Sequence, residues 1–213
     1  MAGIGEPPAR ASYRHGELRK ALIDAGLSMA ASGGPKAVVL REATRRAGVS
    51  PNAAYRHFAD RQALLQAVSA AAQATIADRI QQELDRTDAT DDAATTARLR
   101  LRAIGLGYIG FAREQPGLFR VAFGVPDDIT NAAAPSKAGS AGRTPFQLLA
   151  DALDELVAAG VLPSERRPEA EILAWSAVHG LGMLVIDGPL RGLDDSVVDA
   201  AAQRLLDMVD RGL

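Results

Sequence analysis

Between Ser50 and Phe58 the chain reads S-P-N-A-A-Y-R-H-F, so an amide, a phenol, a guanidinium and an imidazole follow one another on a single short segment. Ser50 can cap a helix and Pro51 suits its first position, where the missing N–H costs nothing. In that helix Val49, Ala54 and Phe58 fall on one side. Pro51, Asn52, Ala53, Tyr55, Arg56 and His57 face outward. Packing is a poor explanation for an exposed face of this composition. It suits the major groove of double-stranded DNA, where Arg pairs with guanine and Asn with adenine, while Tyr, His and backbone N–H groups hold phosphates.

Other chemistry finds little support. The three histidines, His15, His57 and His179, lack metal-ligand spacing, and there is neither a Gly-rich phosphate loop nor a nucleophile elbow. The absence of cysteine excludes disulfides, thiolate metal sites and cysteine nucleophiles, and makes a reducing cytoplasm the simplest compartment. No catalytic residue, metal or cofactor is expected.

The elements that must position the Ser50–Phe58 segment are helices. Aromatics make up 4% of the chain, and no stretch alternates as a half-buried strand requires, so the fold class is all-α. A Gly-, Pro- and Ala-rich arm, residues 1–12, is expected to be disordered. A first helix spans about His15 to Ala31, with Leu18, Leu22, Ala25 and Met29 on one face and Gly33-Gly34-Pro35 closing it. A second runs from about Leu40 to Ala47. The link Ala47-Gly48-Val49-Ser50 to the third has helix-turn-helix spacing, with glycine at the tight turn. The domain organisation follows: a DNA-binding domain over 13–60 and a larger helical domain over 61–213.

Charge divides at the same place. Residues 1–60 carry nine Lys+Arg against five Asp+Glu, and residues 61–213 carry fifteen against twenty-one, within an overall formal charge of −2. A basic head on an acidic body points to a polyanion met by the head alone.

In the larger half, Asp60 caps a long helix reaching about Asp85, and another carries Leu101, Ile104, Tyr108 and Phe111 on one face with Arg98, Arg102 and Arg113 off it, interrupted at Pro116-Gly117. Residues 124–143 lack a helical stripe and read as a mobile loop. Thr144-Pro145 opens a further helix. The uncharged run Ile172–Ile186 is too short to cross a bilayer and reads as a buried helix, and an amphipathic helix follows from about Ser196 to Asp210. No membrane partner is expected.

The stretch REATRRAGVSPNAAYRHFADRQALL (41–65) resembles the signature of the tetracycline-repressor (TetR) family of transcriptional regulators, and YRHGELRKALIDAGL (13–27) resembles the first helix of its DNA-binding domain. The resemblance implies that Tyr55 and His57 contact phosphate and that Pro51, Asn52, Ala53 and Arg56 sit nearest the bases beside Ser50. It further implies that Arg61 clamps backbone phosphate and that Tyr13 and His15 approach it from the first helix. Three departures stand out: Val39 replaces a capping Thr, Arg61 a frequent Lys and Asn52 a frequent Gly.

Farther on, REQPGLFRVAF (113–123) and the Trp175, His179, Gly180 group are similar to the C-terminal domain of the TetR subgroup named for its Trp-His-Gly motif. The resemblance implies a homodimer through the last two helices, and a repressor released from operator DNA by a small-molecule effector. Tyr108, Phe111, Phe119, Phe123, Trp175 and His179 are the candidate pocket lining, although taken singly each is better explained as core. The rival readings are a helical protein-interaction module without DNA binding and a small helical enzyme.

Overall fold

The computed structural model describes residues 15–213, and among these every regular element is helical. Helix α1 (His15–Ala37) buries Leu18, Leu22, Ala25 and Met29, the i, i+4, i+7, i+11 face expected of it. Its regular course breaks at Gly33 and at Gly34, whose φ of +64° excludes most side chains. The arm and Tyr13 lie outside the described residues, as does the side chain of His15.

Helices α2 (Leu40–Arg46) and α3 (Pro51–Tyr55) form the helix-turn-helix. Gly48 between them holds φ +67°, the left-handed turn assigned to it from sequence. As the Val39 departure implies, no side chain caps α2. The Ser50 hydroxyl oxygen accepts from the Ala53 N–H at 3.3 Å, and Asp60 accepts from the Ala63 N–H at 2.8 Å to start α4 (Arg61–Asp85). Regular helix in α3 ends at Tyr55, earlier than the expected Phe58. The N–H groups of His57 and Phe58 still close onto the Ala54 carbonyl, and this last turn drives Phe58 into the core, where the Arg19 guanidinium lies 5.3 Å from its ring centroid.

Helix α5 (Ala93–Glu114) lies along α4. The interruption at Pro116-Gly117 is the start of a separate helix, α6 (Pro116–Phe123), with Pro116 in its first turn. The segment 124–143, read as a mobile loop, carries two short 3-10 turns, Ile129–Asn131 and Pro135–Lys137. It is tied to α4 where the Ser140 N–H and hydroxyl donate to Asp78 at 2.6 and 2.8 Å. Helix α7 (Pro145–Ala158) opens with a full capping box between Thr144 and Gln147.

Helix α8 (Ala170–Ile186), read from sequence as a buried helix, is buried within the single chain along one row only. Ala170, Ala174, Val178, Gly182 and Ile186 form its buried row, one residue every turn, while Ile172, Leu173 and Leu184 stand 52%, 62% and 43% exposed. Helix α9 (Asp195–Gly212) likewise leaves Val197 and Met208 at 49% and 59%. The arginines expected off the α5 apolar face bind α9 antiparallel: Arg98 to Asp210, Arg102 to Asp207 and Arg113 to both Asp195 and Asp199.

Candidate functional site

The head carries a short helix with a buried back and an exposed front. The back of α3 is fixed by Ala54 at 0% and Phe58 at 2% exposure, whereas Pro51, Asn52, Tyr55 and Arg56 are exposed and Ala53 and His57 half-buried. Burying a phenylalanine contributes about 1.5–3 kcal/mol, enough to hold a helix too short to be stable alone. Asn52, Tyr55 and Arg56 have no hydrogen-bond or ion-pair partner among the described residues, so their polar groups remain free for a ligand. Ser50 spends an oxygen lone pair on the cap and keeps its O–H to donate.

Arg61 is oriented differently from the other candidates. Its Nε and one terminal nitrogen donate to the Val38 and Pro35 carbonyls at 2.7 and 2.6 Å, pinning the end of α1 and the linker to α2 against the start of α4. On α2, Arg45 and Arg46 share Glu42, and their hydrogen bonds hold its carboxyl at about 2, so the three side chains form one ionised cluster near the reading helix. Arg41, not among the sequence candidates, is exposed on the same helix. Its signal was available as a third arginine within six residues of α2.

The larger half encloses a cavity of about 620 Å³ between α4, α5, α6, α7, α8 and α9. Three of the six candidate lining residues, Tyr108, Phe123 and Trp175, form part of its wall; Phe111, Phe119 and His179 do not. Phe111 and Phe119 are 2% and 0% exposed and fill the core, with Phe119 edge-on to Tyr108 at 5.3 Å and stacked on His179 at 5.5 Å. His179 stands behind the wall. The Trp175 indole N–H donates to the Tyr108 oxygen at 2.9 Å, leaving the phenol O–H to donate to His179 Nδ1, also at 2.9 Å. Burial pushes the phenol upward and the imidazole downward, so both stay neutral in this relay.

Sequence reasoning missed the polar part of the wall. Lys137 lies there with 6% exposure, paired to Asp127, and Gln73 lines it while donating to the Ala122 carbonyl at 3.0 Å. Lys137 comes from a segment with no periodicity, so no pattern marked it as inward-facing. Of the lining residues, Arg98, Leu99, Asp127, Asp128 and Ile129 are exposed, whereas Tyr108, Ala122, Ala174 and Lys137 are buried.

Helix α6 joins cavity to head. Phe123 and Ala122 at its end face the cavity, and Gly117 at its start lies on the end of α1 so closely that a Cβ there would stand 2.3 Å from the Ala30 carbonyl oxygen. Arg120 grips Asp187 after α8, its Nε 2.9 Å from both carboxylate oxygens, and that bond holds the Asp187 carboxyl below the usual carboxylate range.

Comparison with known proteins settles the family. Residues 101–209 match the model described as tetracyclin repressor-like, C-terminal domain, and residues 22–68 match that of bacterial regulatory proteins, tetR family. The chain belongs to the TetR family. It is a DNA-binding transcriptional regulator of that type, and not an enzyme. The fold is shared with a protein of unknown function from Rhodococcus sp. RHA1, at 28% identity over 96% of this chain and 99% of that one, with a TM-score of 0.69. It is also similar to a TetR variant from Acinetobacter baumannii AYE in complex with minocycline, at 20% identity over 90% and 93% of the two chains and a TM-score of 0.58. A third likeness is RolR in complex with resorcinol, at 18% identity over 91% and 88% and a TM-score of 0.55. No curated protein matches the chain. TetR-family regulators bind operator DNA, dimerise and take small-molecule ligands. Among the described residues no helix is long and apolar enough to cross a membrane.

Proposed function

We propose that this TetR-family chain is a homodimeric repressor that reads operator DNA with α3 and is released when a small molecule enters the cavity of its larger half. The observation that carries the reading is the division of α3: its apolar back is buried, and Asn52, Tyr55 and Arg56 project from the front without partners. Arg56 and Asn52 are assigned to base edges together with the backbone at Pro51 and Ala53. Ser50, Tyr55, His57, Tyr13 and His15 are assigned to phosphates. Arg61, held on the Val38 and Pro35 carbonyls, has donors left over for a phosphate beside its bracing contacts. The boundary between head and body is placed at residues 60 and 61, where Asp60 starts α4.

The exposed apolar faces of α8 and α9 support a dimer through the last two helices. Ile172, Leu173, Leu184, Val197 and Met208 are too many large apolar side chains on adjoining helices to be left in water, and a second copy offers the self-complementary surface that covers them. The relatives bound to minocycline and to resorcinol support a small-molecule effector in the cavity. Tyr108, Phe123 and Trp175 are assigned to touch it, with Phe111, Phe119 and His179 supporting them from behind. A ligand pressing on Phe123 moves α6, and α6 moves α1 through Gly117, so the two heads change spacing. The ligand releases DNA only to the extent that it binds the altered state more tightly.

Salt dependence tests DNA binding. Affinity for duplex DNA is expected to fall by orders of magnitude between about 50 and 200 mM salt, and Tyr55→Phe and Arg56→Ala together to weaken it without lowering the melting temperature. Binding indifferent to salt and to both substitutions would leave the protein-interaction module as the better account.

A further inference from the structure

The wall of the cavity holds one buried charged group whose placement apolar packing does not explain. Lys137 is more than nine-tenths buried, and an ammonium has three N–H donors. Among the described residues Asp127 is its one hydrogen-bond partner, and Asp127 also accepts from the Asn131 side chain at 3.1 Å and the Asp128 N–H at 2.8 Å. The protein therefore satisfies part of Lys137 with a shared carboxylate. A buried cation carried in this way is costly unless something else supplies acceptors.

The other charges of the wall show which ligand sign is favoured. Asp127 is committed to Lys137, Asp128 to the Thr130 N–H and hydroxyl at 2.8 Å each, Asp210 to Arg98, and Arg102 to Asp207 outside the lining. A cationic ligand would find its carboxylates already engaged. An anionic one finds the remaining N–H groups of Lys137. The remaining wall is mostly apolar and runs along α5 from Tyr108 to Arg98, ten residues or about 15 Å of helix, so the rest of the ligand is an elongated apolar body.

We infer that the effector is an apolar carboxylic acid, aromatic or aliphatic, whose carboxylate binds Lys137 Nζ in the cavity wall in partial competition with Asp127. The inference rests on the cavity being the effector site. It adds the chemical class of ligand and the residue that selects it.

Trp175 is the one tryptophan of the chain and lines the cavity, so its fluorescence reports binding directly. The full-length protein is titrated with decanoate and 4-phenylbutyrate, each against its methyl ester. Each acid is expected to bind about tenfold more tightly than its ester, as a charge-assisted hydrogen bond to a buried group allows. Lys137→Met should bring that ratio to about one while ester affinity is retained, and Asp127→Asn should raise acid affinity severalfold by removing the competitor. That gain also guards the test, because a damaged fold does not tighten one ligand selectively.

Equal affinity for acid and ester in the native protein, an acid preference that survives Lys137→Met, or no gain in Asp127→Asn each overturns the proposal while leaving the cavity as the effector site. If no acid or ester perturbs Trp175 at any concentration, the cavity reading fails and the proposal falls with it.

Discussion

A few side chains on α3 carry the specificity assigned to this protein, and their roles are separable. Arg56 can pair with a guanine edge, so Arg56→Ala should cost about 1–3 kcal/mol of binding to the preferred sequence and relax the choice of base at one position. Tyr55→Phe, which removes a hydrogen bond assigned to a phosphate, should weaken preferred and random DNA alike and leave the salt dependence unchanged, because a neutral phenol displaces no counterion. Fluorescence anisotropy on the two kinds of duplex distinguishes these outcomes, and identical effects on both would remove Arg56 from base reading. A different residue sets a pH dependence. Burial lowers the His179 pKa below its ordinary 6.5, so the unfolded chain takes up a proton there before the folded one does. The contribution of neutral His179 is complete above about 6.5 and declines as pH falls through the window beneath it. Melting curves from pH 7 down to pH 5 should therefore show a loss of stability that His179→Gln reduces, and an unchanged slope in the variant would contradict the assignment.

At the scale of elements, the helix-turn-helix depends on a buried back and one permissive turn. Phe58→Ala should destabilise the protein by about 3–5 kcal/mol in denaturant unfolding, because it empties the space that anchors α3 to α1. Gly117 tests the coupling. An alanine Cβ would meet the Ala30 and Ala31 carbonyls, which are backbone and cannot swing aside, so Gly117→Ala should push α6 from α1 and alter DNA affinity although no DNA contact is touched. A variant with native stability and native DNA affinity would show that this contact transmits nothing. These elements also mark what the sequence made legible. Local signals placed the caps at Ser50, Asp60 and Thr144, the turn at Gly48 and the apolar face of α1, because each depends on neighbours within a turn or two. The cavity wall was only half legible. Tyr108 and Phe111 are three residues apart on α5, and whether each meets empty space or packed side chains is decided by α6 and α8, far away in the chain. Lys137 gave no signal at all, since a lysine in a Pro- and Gly-rich segment ordinarily faces solvent.

Across the whole molecule, the exposed rows of α8 and α9 make the single chain an incomplete unit. Leu184→Glu with Met208→Glu places charges where a second copy is expected to seat, and should convert a dimer to monomer by sedimentation while leaving the helix content of each chain intact. The monomer should also lose most of its DNA affinity, because two half-sites bound together give far more than either alone. The most direct test of the account is selection of bound fragments from random DNA by the full-length protein, followed by footprinting of the best one. The expected result is a near-palindrome whose two half-sites lie on one face of the duplex, about one helical turn or a whole multiple of it apart, and whose protection disappears with Arg56→Ala. A single asymmetric site, or protection that Arg56→Ala leaves unchanged, would contradict it.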